Sequence, residues 1–179
     1  PAVEVDSEEK LAELEKDNAV IVVGFFKKLS GSDFDAFHKH ASKSEDALYV
    51  ETTTEAVAKA AGLKKHGVSM VKNHKGEPRE EVVLSKAINA DNLKDFLLAE
   101  KLPLTLEFNQ DNSDKIFNSG IKVQLLLWGS AAELESGSKV FEAFKTVAKE
   151  FKGQLVFVTV NNEAANHEPV TNFFGLKGA

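Results

Sequence analysis

The chain has 179 residues, of which 42% are hydrophobic and 28% charged, and its net charge is −6. These proportions are typical of a folded globular protein with one large or two small domains, and the acidic balance argues against nucleic-acid binding. The longest apolar run covers only residues 19–26, whereas a membrane-spanning helix needs about 20 residues. We therefore expect neither a nucleic-acid partner nor a membrane segment.

The sequence contains no cysteine. This excludes disulfide bonds, thiolate metal sites, cysteine nucleophiles and a Cys-X-X-Cys redox pair. Of the five histidines, only His38 and His40 lie close together, and two positions apart on a helix they point in different directions. Since no dinucleotide-binding or phosphate-binding motif occurs either, we expect no metal and no cofactor.

Residues 1–101 alternate between strand and helix patterns. The continuous β-branched and aromatic run at 19–26 predicts a central buried strand. Shorter apolar runs predict further strands, with turn residues separating the last two. The predicted strands cover residues 3–5, 19–26, 48–50, 68–71 and 81–84.

Helices are predicted between and after these strands. Asp6 with Glu9 predicts a capping box for the first helix, a helix over 55–61 ends at Gly62, and Asn89 or Asp91 caps the last helix. The predicted inward faces of the first, second and last helices carry Leu11 and Leu14; Phe34, Phe37 and Ala41; and Leu93, Phe96 and Leu97.

The rest of the chain repeats the start of this order. A Ser-Gly-Ser motif precedes a helix with Phe37 in the first half and a helix with Phe144 in the second, 107 positions later. Such a period is the size of a compact domain. The predicted strands cover 104–108, 121–128 (buried) and 155–160. The predicted helices are 111–118, one with Val140, Phe144, Val147 and Phe151 along one face, and 168–174.

The repeat predicts two domains, 1–101 and 102–179, separated where Pro103 prevents the preceding helix from continuing. The strand-turn-strand-helix ending that follows Gly62 has no counterpart after Gly175. The second domain is therefore predicted to be truncated after its third helix.

The order βαβαβαββα resembles a thioredoxin-like domain of the protein disulfide isomerase family. Residues 22–26 resemble a strand of its b domain, and 101–108 resemble the junction between its b and b′ domains. Residues 115–117, 151–153 and 172–177 resemble its b′ domain in the same order. The sequence is most similar to what is expected of an isomerase from a photosynthetic eukaryote such as a green alga or plant. The expected fold is α/β: tandem thioredoxin-like folds, each a mixed five-stranded sheet flanked by helices, with the second incomplete.

In this family the b and b′ domains are catalytically silent. The sequence agrees, because it lacks cysteine and has Val68 in the stretch where redox-active thioredoxin folds carry a cis-proline. The resemblance implies a protein disulfide isomerase as the parent protein, while this chain should have no thiol–disulfide activity of its own.

The resemblance also implies that the b′ domain holds a hydrophobic site for unfolded substrates. Phe144 and Phe151 fit a core position as well, and the adjacent Phe173 and Phe174 cannot both face one side of a helix. The substrate-binding residues carried over by position are Pro103, Phe108, Phe117, Leu127, Phe144, Val158, Val170, Phe173 and Phe174.

The function implied is that of a substrate-binding and spacer region that acts on unfolded or partly folded polypeptides beside the flanking catalytic domains of the same chain. The implied compartment is the endoplasmic reticulum lumen, with a plastid as the alternative. One rival is a stand-alone redox-inactive thioredoxin-fold chaperone. Another is a calsequestrin-like calcium-binding protein, which the balance of 28 acidic against 22 basic residues disfavours.

Overall fold

The computed structural model describes residues 1–165 and 167–175, without the side chains of Phe173 and Phe174. The chain divides into two compact units, Pro1–Lys101 and Leu102–Ala179. Across the described residues, no helix has the length and apolar character needed to cross a membrane.

The first unit, Pro1–Lys101, is a single mixed sheet covered by helices on both faces. The strand order is β1-β3-β2-β4-β5, in which β1, β3 and β2 are parallel and β4 and β5 are antiparallel. The predicted five-stranded α/β architecture is therefore confirmed. Its elements are β1 (Val3–Glu4), α1 (Glu8–Asp17), β2 (Val20–Phe25), α2 (Ser32–Ala41), β3 (Leu48–Thr52), α3 (Glu55–Ala60), β4 (Gly67–Lys72), β5 (Glu80–Val83) and α4 (Ala90–Glu100).

Strand β2 lies at the centre of this sheet and fills the core on both faces. Ile21 packs with Leu11 of α1 on one face, whereas Val22 packs with Phe37 of α2 and Leu93 of α4 on the other. All five side chains are almost fully buried, and Ile21 and Val22 serve different faces because alternate residues of a strand point to opposite sides. The prediction of a buried central strand is confirmed.

The helix caps differ from the prediction by one residue at the first helix. Helix α1 begins at Glu8, so its N-cap is Ser7, whose hydroxyl accepts a hydrogen bond from the Lys10 amide, and Asp6 lies one position outside. The capping box at Asp6 was therefore wrong. Asn89 caps α4 as predicted, since its side chain accepts from the Asn92 amide at 2.9 Å.

A buried lysine ties the antiparallel strands to α4. Lys72 is only 4% exposed, and its ammonium group lies 2.8 Å from a Glu80 carboxylate oxygen and 3.3 Å from a Glu100 oxygen. Burial of an ammonium group is unfavourable without such partners. The pairing therefore fixes β4, β5 and the end of α4 to one another.

The loop that leads into β5 is held by an arginine. Arg79 donates hydrogen bonds to both carboxylate oxygens of Glu15 on α1, at 2.7 and 2.9 Å, and to the carbonyl oxygen of Ala60 on α3, at 2.9 Å. The carboxylates of Glu15, chiefly, and of Glu81, to which Arg79 also donates, raise the pKa of the guanidinium group above its ordinary value. Arg79 thus anchors the β4–β5 hairpin to α1 and α3, the two helices on the same face of the sheet.

The second unit, Leu102–Ala179, repeats the first part of this arrangement. Its described strands form a parallel sheet in the order β6-β8-β7. Helix α7 ends at Gly175, whose φ of 65° is the left-handed conformation that suits a glycine C-cap. The elements are β6 (Leu106–Glu107), α5 (Gln110–Phe117), β7 (Gln124–Gly129), α6 (Lys139–Glu150), β8 (Val156–Asn161) and α7 (Glu168–Phe174).

The apolar face predicted for α6 is only partly buried, and the core position expected for Phe151 was wrong. Phe144 is buried, but Val140, Val147 and Phe151 are between 38% and 44% exposed. The side of α6 that packs on the sheet carries Phe144 and Ala148 instead. The apolar arc of the helix is thus wider than the part of it that the sheet covers.

Strand β7 was predicted to be buried, yet it forms an edge of the described sheet and Leu125 is 41% exposed. The matching strand β2 in the first unit pairs with β4, and the matching helix α2 packs beside α4. After α7, the described residues include no counterpart of β4, β5 or α4. This explains why one edge of β7 and one flank of α6 face solvent.

Replacing Lys72 by alanine is expected to lower the free energy of unfolding by about 3 kcal/mol, because it removes a buried side chain and the cation beside the partly buried Glu100 carboxylate. Lys72→Met should recover part of this loss, since it keeps the packing of the aliphatic stem. Urea unfolding measures the effect. Lys75→Ala, which changes an exposed lysine of the same hairpin, is the control and should change stability by less than about 0.5 kcal/mol; an equal effect of Lys72→Ala and Lys75→Ala would contradict the prediction.

The half-buried His40 on α2 is expected to make the first unit less stable in acid. Its ring lies edge-on to Tyr49, with ring centroids 5.8 Å apart, and its Nε2 atom is buried without a hydrogen-bond partner in the described structure. Burial therefore lowers the pKa of His40 below its ordinary value of 6.5. The unfolded chain binds the proton more readily, so this group reduces stability as the pH falls through 6.5.

We expect His40→Gln to lose less stability than the unchanged chain when the pH is lowered from about 7 to 5. Comparing the two proteins removes the contribution of the other groups that titrate in the same interval. The measurement is the free energy of unfolding in urea at both pH values. An undiminished loss in His40→Gln would show that His40 does not contribute to the acid sensitivity.

Candidate functional site

Two phenylalanines predicted for the substrate site meet at the surface of the second unit. Phe108 directly follows β6, and its amide donates a hydrogen bond to the Thr159 carbonyl oxygen of β8 at 2.8 Å. Phe117 is the last residue of α5 and is 63% exposed. The two rings meet edge to face, with centroids 6.4 Å apart and planes at 82°. We call Phe108 and Phe117 the aromatic pair.

The start of α5 is fixed by asparagines. Asn109 is the N-cap and accepts from the Asn112 amide at 2.9 Å, and the Asn112 side chain donates to the Glu107 carbonyl oxygen at 3.0 Å. Ile116 is 2% exposed and anchors the inner side of the helix. Because successive helical residues are about 100° apart, the next side chain, Phe117, emerges at the surface.

Other predicted site residues belong to the core. Phe144 is 9% exposed, and its ring meets that of Phe157 at 5.2 Å, edge to face. Leu127 packs against this same cluster on the α6 side of the sheet. Val158, 1% exposed, is adjacent to Phe157 in β8 and therefore points to the opposite face. Leu127 and Phe144 are thus separated from Val158 by the sheet.

The remaining predicted residues lie elsewhere in the unit. Pro103 is half-buried in the segment before β6, and Val170 is 5% exposed in α7. Phe173 and Phe174 are the last residues of α7, and their side chains lie outside the described structure. Of the predicted set, the described side chains that meet at the surface are those of the aromatic pair.

The sequence interpretation missed the polar residues beside Phe117. Gln110, Ser113 and Asp114 lie seven, four and three positions before Phe117 on α5, and side chains at these spacings share one side of a helix. Asp114 is exposed and accepts a hydrogen bond from the Asn118 side chain at 3.4 Å. Helical spacing applied to the predicted helix 111–118 would have found Ser113 and Asp114, whereas Gln110 lies one residue before it.

Two carboxyl groups in or beside α6 have lowered pKa values. The Ser130 amide donates to Glu133 at 2.9 Å and lowers the pKa of that carboxyl. Lys145, 2.7 Å from Glu142, lowers the pKa of that carboxyl. No group of three or more potential metal ligands occurs among the described residues. What the aromatic pair offers a ligand is apolar contact area with a polar border.

The first unit carries serine and glycine, without cysteine, in the loop between β2 and α2. Ser30 and Gly31 precede α2, and β4 begins at Gly67, directly before Val68. The described backbone contains no cis peptide bond. Since thiol–disulfide exchange needs an attacking thiolate, these residues provide no group for it.

Comparison with known proteins identifies the family. The family described as "Thioredoxin-like domain" matches residues 26–179. Protein disulfide-isomerase of Drosophila melanogaster is 30% identical over 179 residues, which cover 98% of this chain and 35% of that protein. Protein disulfide isomerase-like 1-4 of Oryza sativa subsp. japonica is 36% identical, over 97% of this chain and 30% of that protein. The chain spans about a third of the length of these curated relatives.

Solved structures agree on the fold. The bb fragment of ERp72 superimposes with a TM-score of 0.64 at 17% identity, over all of this chain and 81% of that one. Human ERp44 in its zinc-bound form gives 0.59 at 16% identity, over 97% of this chain and 49% of that one. An animal and a plant protein match at similar identity, so a plant or algal source stays a prediction. The chain belongs to the thioredoxin-like domain family and is homologous over nearly its whole length to protein disulfide isomerases.

Proposed function

We propose that this chain is the non-catalytic b and b′ region of a protein disulfide isomerase, and that its second unit binds unfolded or partly folded polypeptides at the aromatic pair. The observation that carries the proposal is the 63% exposure of Phe117, edge to face with Phe108. A large ring left in solvent contributes nothing to the core, whereas a ligand that covers it gains the free energy of apolar burial.

The chemistry of the pair suits ligands of varied sequence. Phenylalanine has no hydrogen-bonding group, and apolar contact is non-directional, so it does not require one fixed arrangement of donors and acceptors. Phe108 is half-buried, and its backbone amide donates a hydrogen bond to the Thr159 carbonyl oxygen of β8. The pair therefore combines a fixed ring with a neighbouring exposed one.

The first unit fits the role of a spacer. Its sheet is covered on both faces, and the ion pairs of Lys72 and Arg79 fix its hairpin. We propose that it orients the second unit beside catalytic thioredoxin domains of the same protein. The relatives, about three times as long as this chain, support such a context, and by family resemblance the compartment is the endoplasmic reticulum lumen.

The open edge of β7 and the exposed flank of α6 belong to the same proposal. In the first unit, the corresponding surfaces are covered by β4, β5 and α4. We propose that in the longer protein a hairpin and helix of the same kind cover the second unit. The exposed Leu125, Val140 and Val147 supply the apolar surface that such elements would bury.

Replacing Phe117 by alanine is expected to weaken binding of an unfolded apolar peptide by about tenfold, because one ring contributes roughly 1.5–3 kcal/mol of burial. The melting temperature should change little, since the ring is exposed in the free protein. Fluorescence anisotropy with a labelled peptide and a thermal melt on the same samples give both quantities.

Phe151→Ala is the matched control, because Phe151 is also an exposed ring of this unit, at 41%. It should leave peptide affinity unchanged. Phe144→Ala, in the core, should instead lower stability by about 3–5 kcal/mol. Unchanged affinity in Phe117→Ala, or an equal loss in Phe151→Ala, would contradict a binding site at the aromatic pair.

A further inference from the structure

We infer that the aromatic pair prefers apolar peptide segments that contain a lysine or arginine, and that Asp114 determines this preference. The inference rests on the proposed function and specifies its substrate class. It follows from the carboxylate that α5 places one helical turn from the exposed ring of Phe117, a position that the binding residues carried over by resemblance did not include.

Asp114 and Phe117 are neighbours on the same side of α5. Side chains three positions apart on a helix have Cβ atoms about 5–6 Å apart. Asp114 is exposed, and the bond from Asn118 at 3.4 Å involves only one of its carboxylate oxygens. Because an ionised carboxylate has about four acceptor positions, it retains the capacity to bind a cation of a ligand.

The other polar groups on this side of α5 do not oppose a cation. Gln110 and Ser113 are uncharged, and the Ser113 hydroxyl donates to the Gln110 carbonyl oxygen at 2.8 Å. Two lysines are near in sequence, but neither shares this side of α5. Lys115 lies about 160° around the helix from Phe117, and Lys122 is outside α5, in the loop that follows it. The last carbonyl groups of α5 add partial negative charge at this end of the helix.

A basic side chain next to an apolar one can therefore use two interactions at once. The apolar residue covers the aromatic pair, while the ammonium or guanidinium group lies near the Asp114 carboxylate and the face of the Phe117 ring. A glutamate at the same position of the peptide is repelled. Because the site is exposed to solvent, the gain for a lysine is expected to be about two- to fivefold in affinity.

The test uses labelled peptides that are identical except at one position, which is lysine, norleucine or glutamate. Norleucine matches the apolar stem of lysine without its charge. With the unchanged 179-residue chain, anisotropy should rank the affinities in the order lysine, norleucine, glutamate, from tightest to weakest, at low ionic strength. At high ionic strength the three should converge, because salt screens exposed charges.

Asp114→Asn should remove the preference for lysine and leave the affinity for the norleucine peptide unchanged. Asp111→Asn is the matched control: it removes the same charge from α5 at a position about 120° around the helix from Phe117, and it should keep the preference. Equal binding of the three peptides by the unchanged chain, or a lysine preference that persists in Asp114→Asn, would overturn the inference.

The proposed function fails in a different way. If Phe117→Ala binds the norleucine peptide as well as the unchanged chain does, or if the chain binds no peptide, the aromatic pair is not a binding site and the inference about Asp114 falls with it. If Phe117→Ala weakens all three peptides while Asp114→Asn does not alter their ranking, the site stands and only its charge preference is wrong.

Discussion

Strands that are apolar on both faces require cover on both faces, and this requirement organises the whole chain. Ile21 and Val22 of β2 point to opposite sides of the sheet and are both buried, so helices must lie on each side. The packing leaves no spare volume at this strand: a Cβ atom built on Gly24 would lie 2.6 Å from the Phe26 ring. In the second unit β8 is likewise apolar on both faces and needs cover on both. On one face, however, α6 covers the sheet without a neighbouring helix that corresponds to α4 among the described residues.

The same requirement separates core from surface at the aromatic pair. Ile116 must point inward to fill the space between α5 and the sheet, and this rotation leaves Phe117 outside. Phe144 occupies the corresponding inward position on α6 and meets Phe157 in the core. Two rings of identical chemistry thus lie in different environments, one in the core and one at the surface, because their helices turn them in different directions. For this reason their substitution should separate affinity from stability.

Local patterns in the sequence predicted the strands and helices, but not which neighbouring strands and helices bury each of them. The run at 19–26 predicted β2 because a strand buried on both faces needs apolar residues at consecutive positions. The periodicity of α6 located its apolar arc, yet the burial of Val147 depends on a neighbouring element that periodicity does not report. Likewise, the separation of Leu127 from Val158 depends on strand register, which only the folded sheet defines. The meeting of Phe108 and Phe117 was implied by family resemblance alone.

The edge-to-face contact gives the exposed ring a property that an isolated phenylalanine lacks. A free side chain loses rotamer entropy when a ligand immobilises it, and this loss reduces affinity. The Phe108 amide donates a hydrogen bond to the Thr159 carbonyl oxygen, and the rings of Phe108 and Phe117 meet edge to face. Such a contact reduces the rotamer freedom of the exposed ring before a ligand binds. Part of the ordering is therefore complete in the free protein. A peptide that covers this ring is therefore bound in a defined position. Its basic side chain can then lie close to the Asp114 carboxylate, and for this reason one carboxylate can discriminate between peptides that differ at a single residue.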